Sequence, residues 1–331
     1  MRGRHGKKAI SRLHGNVGYR RIALIYNPFA GGLQGSRSSR LLDAQTALGK
    51  YGAQVEMIPT DAPRTAGRLA AHAINAGADL IVAAGGDGTI NETAEGVAGT
   101  CVPLAILPAG TANVLACELR SGRDFAANAE ALLTYPAHRI SVGRVHSTDA
   151  APRSFLLMAG AGLDAHIVYS INYSLKRKLG KVAYWIAGFS QFGRTFPEFT
   201  AHIAGRDYTC TFALISKVRN YGGDLEIARE VTLFDDEFEV VLFHGRESWR
   251  YLKYLAAVAA KRLDGVQGIT VLRAREVELS QASDARIYLQ VDGEFAGRLP
   301  AKLEIVPDAL TLLIPPRYLE LHRTRELQLL T

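Results

Sequence analysis

The sequence predicts an α/β chain: an N-terminal open parallel sheet flanked by helices, then a second, mostly antiparallel β domain. Two observations carry this. Up to about residue 139, apolar runs alternate with helical segments, and three of the four runs end in small or glycine-rich turns, as buried parallel strands do. From about residue 140, strand patterns follow one another with few helices between them. A chain of 331 residues is long enough to build both.

The first strand is Arg-Ile-Ala-Leu-Ile-Tyr at 21–26, which stops at Asn27-Pro28. Phe29-Ala30-Gly31-Gly32-Leu33-Gln34-Gly35-Ser36 follows as a turn, then a helix with Leu41, Leu42, Ala44 and Leu48 on one face. Residues 55–58 make the second strand, ending at Pro59-Thr60, and 63–75 the next helix, with Leu69, Ala70, Ala73 and Ile74 inward. Residues 80–84 are the third strand. Residues 103–107 are the fourth, ending in Pro108-Ala109-Gly110-Thr111-Ala112-Asn113 and entering a helix at 114–119. In an open parallel sheet these turns share the carboxyl edge, where ligands bind. Residues 27–32, 85–92 and 110–113 together outline a nucleotide cleft.

The third strand runs into Gly85-Gly86-Asp87-Gly88-Thr89 and restarts as Ile90-Asn91-Glu92. Three glycines in four positions let a ligand approach the backbone without Cβ interference. The helix that follows offers N–H groups and a partial positive charge where a nucleoside triphosphate would place its phosphates. A plainer reading is a tight turn capped by Thr89 and Glu92 as a capping box, and the two are compatible. Neither this turn nor the one at Gly31-Gly32 is a Walker A loop or a dinucleotide G-x-G-x-x-G.

Strand patterns in the second half fall at 154–158, 208–215, 238–243, 269–279, 286–290 and 301–305. Two helical stretches interrupt them. Residues 167–196 mix Tyr169, Tyr173, Tyr184 and Trp185 with Lys176, Arg177, Lys178 and Lys181; residues 247–263 align Trp249, Leu252, Leu255, Val258 and Ala259, with Arg250, Lys253, Lys261 and Arg262 elsewhere. Such stretches either rest on an anionic membrane and admit a lipid, or turn an apolar face to the core and a basic one to solvent.

The net charge of +7 is uneven: Arg2, Arg4, Lys7, Lys8, Arg12, Arg20 and Arg21 all precede the first acidic residue, Asp43. Residues 1–20 read as a flexible basic arm, either solvated or drawn to anionic headgroups; no nucleic-acid partner is expected. Gly15, Asn16, Gly18 and Arg20 break any secretory h-region, and an organellar transit peptide is left open. No run reaches the roughly 18 apolar residues of a membrane span. Cys101, Cys117 and Cys210 form no C-x-x-C pair and sit among apolar residues, as free buried thiols of a reducing cytoplasm do. There is no Cys/His metal cluster, internal repeat or low-complexity tract.

With these motifs in hand, the chain resembles the diacylglycerol kinase catalytic family, which includes bacterial soluble lipid kinases and sphingoid-base and ceramide kinases. The similarity spans about residues 21–316. It is carried in order by Asn27-Pro28 with Ala30-Gly31, residues 85–92, residues 107–113, Gly162-Leu163-Asp164-Ala165, Asn220-Tyr221-Gly222-Gly223 and Asp292-Gly293-Glu294. Gly-Gly-Asp-Gly-Thr alone also occurs in NAD kinases; the terminal Asp-Gly-Glu is what discriminates.

The resemblance implies a nucleotide domain at 21–139, completed by about 308–331 as a segment near 310–314 rejoins it, and an antiparallel β-sandwich at 140–307 that takes the lipid. It implies ATP as phosphate donor, with Asn27, Pro28, Gly31, Thr60, Gly85, Gly86, Asp87, Gly88, Thr89, Asn91, Glu92, Gly110 and Thr111 at the nucleotide. Asp87 would hold Mg²⁺ and Asp164 would join its polar network. Asp292 would accept the proton of the substrate hydroxyl, with Glu294 as partner or alternative base. A structural Mg²⁺ would sit in the second domain at Asp236, with the carbonyls of Leu233 and Phe238. The implied enzyme is cytoplasmic and peripheral at an anionic membrane surface, diacylglycerol is the implied substrate, and a homodimer is left open. NAD kinase, a sphingoid-base or ceramide kinase and a non-catalytic nucleotide- or lipid-binding regulator are the alternatives. This chain departs from many bacterial members at Val114, where they have Asp; at Gly32, where they have a cation and the nearest here is Arg37; and at Asp224 and Arg229, where Gly and Pro are usual.

Overall fold

A computed structural model describes residues 18–35, 39–122, 124–162, 195–221, 225–247, 250, 253–254, 265–281 and 286–328. The chain opens with alternating strands and helices: β1 (Arg21–Tyr26), α1 (Ser39–Gly49), β2 (Gln54–Pro59), α2 (Ala66–Asn75), β3 (Leu80–Gly85), α3 (Asp87–Val97), β4 (Leu104–Pro108), α4 (Val114–Glu118) and α5 (Phe125–Leu132). The strands pair in parallel in the order β2-β1-β3-β4. Leu80 to Gly85 are all buried, which is why this stretch reads as a continuous apolar run rather than an alternation.

A run of strands follows: β5 (Ala137–Ser147), β6 (Arg153–Phe155), β7 (Met158–Gly162), β8 (Phe199–Ile203), β9 (Arg206–Cys210), β10 (Phe212–Ser216), β11 (Asn220–Tyr221), β12 (Leu225–Glu226), β13 (Phe238–Phe243), β14 (Ile269–Ala274), β15 (Glu276–Ser280), β16 (Tyr288–Val291), β17 (Glu294–Arg298) and β18 (Ala301–Leu313); α6 (Pro316–Gln328) closes the chain. An antiparallel sheet, β14-β13-β10-β7-β16-β17, faces strands β5, β8, β15 and β18 across a core that includes Phe155, Phe199, Phe238, Leu289 and Leu303.

β18 joins the two halves. Its first residues pair antiparallel with β15, Leu312 pairs in parallel with Leu104 of β4, and β5 runs antiparallel along it from Ala301↔Ser147 to Leu313↔Ala137. A register shift between Val306 and Leu310 contains Pro307, which suits a bulge because proline donates no ladder bond. Residues 139 and 307 therefore lie inside single strands rather than in linkers.

Several expected elements come out differently. The strand expected at 154–158 breaks into β6 and β7 at Leu156-Leu157. The strands expected at 208–215 and 269–279 each split, at Thr211 and Arg275, because one half belongs to each sheet and the chain turns a corner between them. α2 starts at Ala66 rather than Pro63, since Arg64 is left-handed at φ 64. The capping box at Thr89 does not form: α3 already begins at Asp87 with Gly86 as N-cap, and Thr89 lies inside the helix, where its carbonyl accepts the Thr93 hydroxyl.

Of the expected basic arm, Arg20 is held in place, its N–H donating to Asp79 Oδ2 (2.8 Å) and its carbonyl accepting from Gln54 N–H (2.8 Å). Residues 1–17 lie outside the described residues. Only Cys210 of the three thiols is buried; Cys101 is exposed and Cys117 half-buried. Burial pushes the Cys210 thiol up to about 12, so it is inert as a thiolate. Among the described residues no helix is long and apolar enough to cross a membrane.

Candidate active site

The strand-end loops of the parallel sheet are bonded to one another. Asn27 N–H donates to Ala84 O (3.0 Å), Gly32 N–H to Ala109 O (2.8 Å) and Ala109 N–H to Gly85 O (2.8 Å). Thr60 N–H donates to Tyr26 O (2.9 Å), which brings the end of β2 to the same edge. Gly110 lies against Gly86 so closely that a Cβ on Gly110 would collide with the Gly86 backbone. Asn113, left-handed at φ 47, clamps the loop: its Oδ1 accepts from Gly110 N–H and its Nδ2 donates to Gly110 O, both at 2.8 Å. Gly31 faces open space, and Asn27 Oδ1 accepts from Phe29 N–H (2.9 Å), which shapes the turn through Pro28. Thr111 is exposed at the tip of its loop.

Across this edge stands a two-residue hairpin. Val291 pairs with Glu294, and the intervening Asp292 and Gly293 have φ of 49 and 80, the pattern of an Asp-Gly type I′ turn. The turn directs the Asp292 carboxylate into a cradle of main-chain donors at the break between β6 and β7. Leu156 N–H donates to Oδ2 (3.0 Å), while Leu157 (3.1 Å) and Met158 (2.9 Å) donate to Oδ1. Asp292 N–H donates back to Met158 O (2.9 Å). The residue tops a half-exposed turn, but its carboxylate is enclosed. Burial raises the carboxyl from 3.8 to about 7; the three N–H groups oppose this and the Asp87 carboxylate adds to it.

Asp87, in the first turn of α3, accepts from Leu115 N–H through Oδ1 (3.3 Å). Glu294 reaches the glycine turn at the start of α3, with Oε1 3.0 Å from where a Cβ of Gly88 would stand. Its Oε2 is paired with Arg153 Nη2 at 3.0 Å, and Arg153 Nη1 also donates to Phe295 O (3.3 Å). Asp87, Gly88, Asp292 and Glu294 are thus brought together from both halves of the chain. α3 is tied directly to the cradle segment: Asn91 Nδ2 donates to Ser154 O (3.1 Å) and Glu95 Oε1 accepts from Ser154 N–H (3.0 Å).

Two residues that the resemblance assigns to the nucleotide use their side chains elsewhere. Asn91 is buried on Ser154, and the Glu92 carboxylate accepts from Arg64 N–H (2.9 Å) and Ala66 N–H (3.2 Å), closing the start of α2. Burial raises the Glu92 carboxyl, the two N–H bonds oppose it, and the carboxylates of Glu294 and Glu95 reinforce it. Asp164, Gly222, Gly223, Arg37, nearly all of residues 167–196 and most of 247–263 lie outside the described residues.

Sequence reasoning missed Arg153, Glu95, Arg40, whose Nη1 donates to Gly32 O (3.4 Å) where Arg37 was the cation expected nearest, and the three cradle N–H groups. Arg153, the first residue of the short strand β6, carried no distinguishing pattern, and backbone donors carry none by nature.

An enclosed carboxylate facing a glycine-rich turn at a helix start is an arrangement suited to phosphoryl transfer. Comparison with known proteins agrees. The family described as "Diacylglycerol kinase catalytic domain" matches residues 21–145, and "YegS C-terminal NAD kinase beta sandwich-like domain" matches residues 158–314. A diacylglycerol kinase of Mycobacterium tuberculosis is 26% identical over 300 residues, covering 89% of this chain and 95% of that protein. One of Bacillus subtilis is 27% identical over 293 residues, covering 86% and 92%. The crystal structure of a diacylglycerol kinase from Bacillus anthracis superposes with a TM-score of 0.72 at 21% identity, covering 90% of this chain and 98% of that one, which establishes the shared fold. Residues 21–145 thus belong to the diacylglycerol kinase catalytic-domain family and residues 158–314 to the YegS C-terminal beta-sandwich family, and together the two account for most of the chain.

Proposed function

We propose that the protein is an ATP- and Mg²⁺-dependent lipid kinase that transfers the γ-phosphate to a hydroxyl of diacylglycerol at an anionic membrane surface. The observation that carries this reading is the Asp292 carboxylate, held by three main-chain N–H groups opposite Asp87 and Gly88 with its pKa near 7. An alcohol is a poor nucleophile; a base poised near the working pH takes its proton as the oxygen–phosphorus bond forms and the bond to ADP breaks. The glycines at 86 and 110 let the two loops pack backbone to backbone with no Cβ between them, which suits a polyphosphate held by main-chain N–H groups.

Asp87 would hold Mg²⁺. Among the described residues no three acidic or imidazole side chains form a metal cage, and Mg²⁺ at phosphates needs none, since one or two carboxylates suffice with phosphate and water oxygens. When bound, the ion neutralises charge on the phosphates. Glu294, fixed by Arg153, borders the acceptor side of Gly88 and orients what enters between the two halves.

The test is incubation with labelled ATP, Mg²⁺ and mixed micelles of diacylglycerol, monoacylglycerol, phosphatidylglycerol, sphingosine or ceramide, with NAD in a separate tube. Label in diacylglycerol is the expected result. Label in NAD alone, or in no acceptor despite ATP binding, would overturn it. In the same assay Gly110→Ala should lower kcat/KM for ATP by roughly 10²-fold, because the new methyl pushes two phosphate loops apart; a variant with wild-type kinetics would place the nucleotide elsewhere.

A further inference from the structure

The structural Mg²⁺ implied for the second domain meets a poor fit. Asp236 is exposed, and Phe238 is engaged in β13 opposite Ala274. The neighbouring Asp235 carboxylate is already satisfied: Oδ2 accepts from Thr232 N–H (2.7 Å) and lies 3.1 Å from Arg273 Nη2.

Behind this loop sits a lysine with no exposed surface. Lys217 is 0% exposed; its Nζ donates to Ser141 Oγ (2.7 Å) and to the Asp235 carbonyl, which also accepts from Ser141 Oγ (2.8 Å). The ammonium therefore joins three segments, β5, the end of β10 and the loop before β13. Burial lowers Lys217 to about 8, the Asp235 and Asp236 carboxylates draw it back up, and the Arg273 charge opposes them, so at neutral pH it keeps its proton.

An unpaired buried charge costs several kcal/mol, and one persists only where fixed oxygens receive it. Here those oxygens are the Ser141 hydroxyl of β5 and the Asp235 carbonyl of the very loop to which the resemblance assigns a metal. We propose that the Lys217 ammonium is the resident cation of the second domain, standing in for the divalent ion, so that this domain holds its shape without a metal. The same residue reaches the active site through its backbone: Lys217 N–H donates to Leu157 O (2.8 Å), and the N–H of that same peptide, Met158, donates to Asp292 Oδ1 (2.9 Å). A cation built into the chain thus fixes the back of the peptide whose front holds the base.

The test uses the full chain without nucleotide, in an Asp87→Asn background so that the phosphate side takes up no ion. Equilibrium dialysis with Mn²⁺ and thermal melts with and without EDTA are read together. With Lys217 present, no Mn²⁺ should be retained and the melting point should not move on chelation. Adding Lys217→Ala should lower the melting point by roughly 5–10 °C and open a site that retains one Mn²⁺ per chain, with part of the loss recovered. Retention of Mn²⁺ with Lys217 in place, abolished by Asp236→Asn, would overturn the proposal. So would a Lys217→Ala protein that melts like its parent and takes up no ion. Should Lys217→Ala fail to fold, the parent's dialysis and melts still decide.

Discussion

Asp292→Asn is expected to reduce phosphoryl transfer by ~10²–10⁴-fold, the contribution of a positioned general base, while nucleotide affinity stays close to wild type. The carboxylate's contacts are with the Leu156–Met158 backbone rather than with the glycine loops, so removing its charge leaves those loops intact. In the wild type, kcat/KM should fall as pH drops through about 7, where Asp292 takes up its proton. Stability should follow the opposite course. A carboxyl raised from 3.8 to about 7 on folding binds its proton more tightly in the native state; the stability this confers is complete below about pH 4 and lost as pH rises through 7. A shift of about 3 units corresponds to at most about 4 kcal/mol. Urea unfolding at pH 5 and pH 8 should therefore show the wild type losing stability relative to Asp292→Asn at the higher pH. Full activity in the variant would sink the assignment of the base, and parallel pH profiles would sink the raised pKa.

Glu118→Ala should be the most destabilising single change among those considered, at about 3–5 kcal/mol. Glu118 has no exposed surface; Oε2 accepts Arg219 N–H (3.0 Å), and Oε1 is 3.2 Å from Arg219 Nε and accepts the Tyr318 hydroxyl (3.3 Å). Tyr318 in turn accepts Leu233 N–H (3.1 Å). One carboxylate thus unites α4, the β10–β11 link and α6. Its removal strands the Arg219 guanidinium, which is 7% exposed, and leaves a backbone donor unpaired. α4 follows the Gly110–Asn113 loop directly, so nucleotide affinity should weaken as well. Guanidinium denaturation is the direct check; a loss below about 1 kcal/mol would mean that water replaces the carboxylate at no great cost.

The parallel sheet was legible because its inner strands β1, β3 and β4 are buried on both faces, so Leu80 to Ala84 reads as a strand beside its glycine turn. Asp87 and the Asp292–Glu294 turn were legible as short patterns of unusual residues. The means by which Asp292 is held was not. Leu156, Leu157 and Met158 read as one strand in a uniformly apolar stretch, and nothing in their side chains reveals that the strand breaks to offer three amides. The partner of Glu92 was hidden for a related reason: a carboxylate three residues after a threonine suits a capping box, yet the helix it closes lies 26 residues earlier. Corners such as Thr211 and Arg275 escaped because a strand that changes sheets keeps its alternation on both sides of the bend.

The ribbon formed by β5 and β18 bears on how such an enzyme can cycle. A hinge requires a place where the chain crosses between bodies with little else beside it, and here the crossing is a pair of strands matched from Ala301↔Ser147 to Val306↔Val142 and, past the bulge at Pro307, from Leu310↔Ile140 to Leu313↔Ala137. Opening the cleft by swinging one half from the other would shear that ladder. On the function proposed, admission and release of both substrates then fall to the loops at the cleft's rim, and turnover becomes a matter of what those short segments do while the frame stays still.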